Sequence, residues 1–108
     1  EYESGSQTIT SAGLLTLNHG LGREPRLFDF YLVCTTAEDG YSIGDKVTAN
    51  MNSSTSGASI SNTYYFTSTQ IFLRYSSNSS AFVNGAKSSG LSSTFINSNW
   101  KLVVRAYA

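Results

Sequence analysis

Nucleophilic catalysis needs a serine or cysteine beside a base, and this sequence offers one histidine, His19, and one cysteine, Cys34. Any triad must run through His19. That residue sits in the Gly-flanked run His19-Gly20-Leu21-Gly22, where its ring is better placed to bond a backbone carbonyl than to act as a base. The one G-x-S-x-G match, Gly40-Tyr41-Ser42-Ile43-Gly44, falls in a loop with no helix expected after it, whereas the nucleophile elbow is a strand-to-helix turn. Cys34 closes the apolar run Phe28 to Cys34 and reads as a buried, inert thiol. As the only cysteine it excludes an intrachain disulfide and every multi-cysteine metal site. The expected set of catalytic residues is empty, and the chain reads as no enzyme.

Glu38, Asp39 and Asp45 form the local acidic cluster, inside the loop Ala37 to Asp45. Paired carboxylates serve glycosidases, and carboxylate oxygens suit calcium. The spacing matches no regular calcium loop. Asp39-Gly40 is a common turn pair, and Asp45 is placed to accept backbone N–H bonds in a tight turn. The cluster therefore reads as a rigid structural turn, and neither a metal nor a cofactor is expected.

Hydroxyls, amides and aromatic rings are the chemistry left over. Seven Tyr, six Phe and one Trp stand in a chain about a third of which is Ser, Thr or Asn. Such a surface suits neutral sugars, which stack a C–H face on a ring while amides and hydroxyls bond their oxygens. The adjacent pair Tyr64-Tyr65 must point to opposite faces of a strand, so one ring should lie outside the core. Tyr64 and Tyr65 are thus the candidate ligand platform, with Asn62 and Asn78 as polar partners and Tyr41 in the acidic loop as a further candidate. The two N-x-[ST] matches, at Asn52 and Asn78, are what chance gives in so Ser-rich a chain.

Charge narrows the partners. Seven basic and seven acidic residues leave a net charge of zero, whereas binding nucleic acid requires a surplus of Lys and Arg. No apolar stretch approaches a membrane span of about 18–20 residues. Neither nucleic acid nor membrane insertion is expected. The chain starts at Glu1 without Met and so reads as a piece of something longer.

The elements that must position these residues are short strands punctuated by Gly, Ser and Asn. Gln7–Thr10 and Leu14–Asn18 flank a Ser11-Ala12-Gly13 turn. In Leu27–Thr36, alternation puts Phe28, Phe30, Leu32 and Cys34 on the core face and Leu27, Asp29, Tyr31 and Val33 on the other. Lys46–Asn52, Ser59–Ser61, Tyr64–Thr67 and Gln70–Ser76 follow, with polar turns expected at Asn52–Gly57 and Ser76–Ser80. Ala81–Asn84 and Leu91–Ile96 are weaker strands. The closing strand, Asn99–Ala108, turns Trp100, Leu102, Val104 and Ala106 inward, with Trp100 a core plug. Val103 and Tyr107 fall on its other face, which suggests a subunit interface. These elements predict one all-β domain over residues 1–108, an antiparallel β-sandwich of roughly eight short strands.

Four segments together carry a resemblance. They are His19-Gly20-Leu21-Gly22 with Pro25, Leu32 with Cys34, the loop Ala37-Glu38 through Gly40-Tyr41 and Gly44-Asp45 to Val47, and the terminus Trp100 to Ala108. Their arrangement resembles the C-terminal tip domain of bacteriophage tail fibres. That resemblance implies a homotrimer at the distal end of the fibre in the virion, where it contacts the bacterial surface. A looser similarity, in strand count and the Trp100 strand, is to H-type lectins, which are trimeric sugar-binding sandwiches. The expectation is a non-enzymatic, lectin-like receptor-binding protein for host recognition and adsorption. Its partner would be a bacterial cell-surface glycan, lipopolysaccharide or capsule. The alternatives are a trimerisation cap without a ligand and a glycan depolymerase.

Overall fold

A computed structural model describes residues 1–55 and 58–108 and, over 52–55 and 58–60, the backbone alone. The strands in chain order are β1 (Tyr2–Glu3), β2 (Gln7–Thr8), β3 (Leu14–Asn18), β4 (Leu27–Cys34), β5 (Lys46–Thr48) and β6 (Asn52–Thr55). They continue as β7 (Ala58–Ser61), β8 (Thr63–Phe66), β9 (Gln70–Arg74), β10 (Phe82–Gly85), β11 (Ser92–Phe95) and β12 (Trp100–Tyr107). The described helical structure is a single 3-10 turn at Asn97–Asn99.

Two antiparallel sheets make the sandwich. One runs β1-β12-β4-β5, with β2 also on β12; the other runs β3-β9-β8. β4 and β12 pair along their whole length, from Trp100 opposite Cys34 to Tyr107 opposite Leu27. This ladder aligns two alternating apolar rows, so Phe30, Leu32 and Cys34 share one face with Leu102, Val104 and Ala106. They meet Ile71, Leu73 and Tyr75 of the opposite sheet in one buried cluster. The Tyr75 hydroxyl donates across the sandwich to the Thr8 carbonyl at 3.2 Å, and burial pushes its phenol well above the ordinary range. Cys34 is buried as expected, and burial likewise raises its thiol.

The hairpins β6–β7 and β10–β11 complete the fold. The second is joined to β5 by side chains. Asn84 Nδ2 donates to the Thr48 carbonyl at 2.8 Å, and Asn50 Nδ2 donates to the Val83 carbonyl at 2.9 Å. Two amides thus do what a backbone ladder would otherwise do at that edge.

The sandwich is as expected, with twelve strands among the described residues where the pattern suggested fewer. β1 is two residues long and held by its pairing to β12, a long-range contact that local alternation does not reveal. The segment expected as a polar turn from Asn52 contains β6 instead; residues 56 and 57 lie outside the described residues. β2 and β3 flank their turn but join different sheets. Ser76, placed in a polar turn, is buried.

Trp100 opens β12 and is almost fully buried. Its ring stacks on Phe95 at 4.4 Å with an interplanar angle of 6°, and Tyr41 meets it edge-on at 5.3 Å. Its indole N–H donates to Glu38 Oε1 at 2.6 Å. The core-plug reading holds. Trp100→Ala should cost about 3–5 kcal/mol of stability, read by urea unfolding followed by far-UV circular dichroism because the substitution removes the chain's one tryptophan. A variant as stable as the parent would show that the site tolerates its cavity.

Candidate functional site

β8 ends its sheet, pairing on one side with β9. Its four residues Thr63, Tyr64, Tyr65 and Phe66 are all exposed. Tyr64 is 40% and Tyr65 46% exposed, so both rings of the pair meet solvent rather than one. Their surroundings differ. Tyr64 faces the other sheet, its ring 4.7 Å from Phe30 and 5.3 Å from Phe28, with Phe66 4.8 Å from Phe28. Tyr65 points outward and lies flat against its register partner Phe72, at 4.7 Å and 10°. The two rings are parallel and stacked on an outer sheet face, and Tyr65, 46% exposed, is the one more open to a ligand. Flat, rigid aromatic surface of this kind binds the C–H face of a sugar at little entropic cost.

Asn62, expected as a polar partner at the surface, is turned inward instead. The residue is buried, and its amide is used inside the protein. Nδ2 donates to the carbonyls of Ala81 at 2.9 Å and Asn50 at 3.3 Å, while Oδ1 accepts the Ser76 N–H at 2.8 Å. The Ser76 hydroxyl adds a bond to the same Ala81 carbonyl at 3.0 Å. Asn62 clasps three chain segments. Asn78 is half-buried in the turn that follows; this turn leaves the Arg74 end of β9, whereas Phe66 pairs near the other end.

Tyr41 is committed to structure as well. Its hydroxyl donates to the Gly85 carbonyl at 2.7 Å, and its ring packs edge-on against Phe95 and Trp100. The loop around it is a rigid element, as expected. Asp39 and Gly40 both have positive φ, 53° and 86°, between the reciprocal bonds of Glu38 and Tyr41. That is the turn geometry for which Asp-Gly is favoured. A side chain at Gly40 would also meet the Ser88 backbone nitrogen at 2.9 Å. The acidic groups then staple the loop to the β10–β11 hairpin. Asp39 Oδ2 accepts from the Ser93 hydroxyl at 2.7 Å, Glu38 Oε1 from the Ile96 N–H at 3.0 Å, and Asp45 Oδ2 from Lys87 at 3.0 Å. Asp45 also accepts the Ser42 N–H at 2.9 Å. That backbone bond first, and Lys87 second, hold its carboxyl below the ordinary range. A cleft of about 310 Å³ opens beside Tyr41, Asp45, Lys46 and Lys87.

His19 is buried with both ring nitrogens engaged. Nε2 donates to the Thr67 carbonyl at 3.0 Å, and Nδ1 accepts the Leu21 N–H at 3.1 Å. The carbonyl partner expected from sequence is there, and the ring is not positioned to take a proton from a nucleophile. Among the described residues, no three of His, Cys, Asp and Glu gather as metal ligands would.

Sequence reasoning missed a second surface, on the outward face of the five-stranded sheet. Asp29, Tyr31, Lys46, Val47, Thr48 and Arg105 line a cleft of about 200 Å³. Alternation had put Asp29 and Tyr31 on that face; only the strand register brings Arg105 and Lys46 beside them. Neither a protein-family model nor a curated protein sequence matches the chain.

Two outcomes are expected. Tyr64→Ala, which strips contacts to Phe28 and Phe30, should lower stability by about 1–2 kcal/mol, and Tyr65→Ala by no more than about 1 kcal/mol. Asn62→Ala should cost about 1–3 kcal/mol by stranding a buried N–H and two carbonyls. Urea titrations rank the three, and a neutral Asn62→Ala would reopen that residue as a surface contact. For Asp45, a folded value below the unfolded one means stability present above about pH 4 and lost as pH falls through the folded value. The parent's melting temperature should therefore fall more steeply on acidification than that of Asp45→Asn; parallel curves would show that the carboxylate contributes nothing through its charge.

Proposed function

We propose that this chain is a non-enzymatic receptor-binding module of a bacteriophage tail-fibre tip, acting as a homotrimer on bacterial surface glycan, lipopolysaccharide or capsule. The carrying observation is the exposed Tyr65 ring, braced by its stack on Phe72, on an exposed edge strand. A free strand edge with aromatic rings on both faces is a liability unless a partner uses it. The frame around it is rigid, and its one histidine and its acidic loop are occupied in holding the fold. That favours binding over hydrolysis. The zero net charge of the chain suits a hydroxyl-rich ligand, met by stacking and hydrogen bonds rather than by long-range attraction.

Such contacts are individually weak. Linking three subunits, and several fibres, raises effective affinity by roughly 10²–10⁴ without any new contact. The trimer reading draws on the tail-fibre resemblance more than on the closing strand. Val103 is only 5% exposed within a single chain, so β12 needs no partner to cover it. Among the described residues, the large apolar groups still open to a neighbour are Leu14, Leu27, Ile43, Leu91 and Ile96, together with the aromatic edge.

Tyr65→Ala should fold, keep three times the 11.7 kDa subunit mass in light scattering, and lose adsorption to host cells at least tenfold. Glycan-array binding by the parent checks the ligand class. A parent of subunit mass, or a Tyr65→Ala variant that adsorbs normally, would overturn the corresponding half of the proposal. Release of reducing ends from host polysaccharide would show a depolymerase instead.

A further inference from the structure

The outward face of the five-stranded sheet carries Glu3, Asp29, Lys46, Lys101 and Arg105, a large share of the charges in a chain with only fourteen. Three of them stand in one cross-strand row, because Glu3 pairs with Arg105 and Arg105 with Asp29. Arg105 is held at two points. Its Nε donates to Glu3 Oε2 at 2.7 Å, and its guanidinium carbon lies 4.9 Å over the Tyr31 ring. Those contacts use one edge and one face of the group. Its terminal nitrogens, the Lys46 ammonium and the Asp29 carboxylate have no hydrogen-bond or ion-pair partner among the described residues. All three side chains line the same 200 Å³ cleft.

A pinned guanidinium with open terminal N–H groups is a fork for a carboxylate or phosphate, and an ammonium across the cleft adds a point charge. Asp29 restricts what can carry that anion. A carboxylate only accepts hydrogen bonds, so it calls for hydroxyl donors beside the acid group. With Lys101 the face holds three cations against Glu3 and Asp29, a surplus of one charge, too little to attract a polyanion. The cleft is smaller than the roughly 300–1,000 Å³ of drug-sized pockets and admits about one ring.

We propose that this cleft binds a single saccharide unit bearing one negative charge, its acid group between Arg105 and Lys46 and its hydroxyls on Asp29 and Thr48. That the anion arrives on a sugar rests on the glycan reading above. The charge has two possible sources, a uronic-type carboxylate or a phosphodiester substituent.

The test is titration of the full chain, ¹⁵N-labelled and followed by amide chemical shifts. The probes are methyl glucuronoside, methyl glucoside and glucose 1-(methyl phosphate). At least one acidic probe should shift the β4, β5 and β12 amides around the cleft and bind at least tenfold more tightly than methyl glucoside; whichever acid does so identifies the source of the charge. Arg105→Gln and Lys46→Gln should each weaken that binding at least fivefold. Lys46→Gln matters most, since its side chain holds nothing else in place and the variant should fold normally. Equal binding of the neutral probe, no binding of either acid, or unchanged affinity in Lys46→Gln would overturn the proposal. Its failure differs from that of the glycan reading. In the first case Tyr65→Ala still abolishes adsorption while no acid probe binds; in the second the cleft binds its acid and Tyr65→Ala adsorbs normally.

Discussion

A buried tryptophan at the start of the closing strand needs an acceptor for its indole N–H, and Glu38 is that acceptor at 2.6 Å. Left unmade, such a bond costs about 1–3 kcal/mol for the stranded group. The acceptor is fixed by the positive-φ turn at Asp39-Gly40, which returns the chain so that Tyr41 can close on Trp100. The same carboxylate takes the Ile96 N–H as the chain leaves β11, and Phe95, one residue earlier, is the ring stacked on Trp100. One acid–indole contact therefore joins the central strand, the acidic loop and the second hairpin. The other carboxylates of the loop repeat the arrangement on a smaller scale, each bound to a separate point of the chain.

The polar composition takes part in the same construction. Asn50 and Asn84 bond across an unpaired sheet edge, and Asn62 gathers carbonyls from Asn50 and Ala81 around Ser76. A chain with few charges thus satisfies its irregular backbone through amides and hydroxyls. This explains how a domain so rich in Ser, Thr and Asn keeps a closed core: many of those side chains complete hydrogen bonds that short strands leave open. Between β4 and β8 the arrangement changes. There the sandwich closes on Phe28, Phe30, Tyr64 and Phe66, and ring contacts leave aromatic surface in solvent.

What was legible in the sequence follows from this division. In β4 and β12, period-two alternation assigned the inner rows, because both strands bury one whole face. Trp100, Cys34 and His19 were legible as structural for related reasons: each lies in a run that restricts what surrounds it. Asn62 was not. An amide between two strands reads as surface, and only carbonyls from distant segments make burial favourable. Tyr64 and Tyr65 were expected to divide between core and solvent, yet an edge strand exposes both faces. The juxtaposition of Arg105, Lys46 and Asp29 was invisible, since it depends on the register of three strands far apart in the chain. β1 was missed on the same account.

The two candidate surfaces lie on opposite outer faces, one on each sheet, and the shortest extent of the molecule is 20 Å. A single sugar ring cannot touch both. The Tyr65–Phe72 stack offers shape and stacking with no charge, so as a sugar site it would discriminate weakly among rings with a similar apolar face. The cleft offers a fixed fork and a carboxylate, so the saccharide site proposed there would discriminate by charge and hydroxyl placement. In the trimer proposed above, selectivity that neither surface supplies alone would arise when a long polymer engages different faces of neighbouring subunits, because the second contact is then intramolecular. A ligand carrying only one of the two features gains no such second contact. Under the proposed function, recognition would belong to the repeat pattern of a polymer rather than to any one sugar, and it would require a rigid frame whose two faces keep a constant separation. The Glu38–Trp100 contact and the amide clasps hold the frame in that condition.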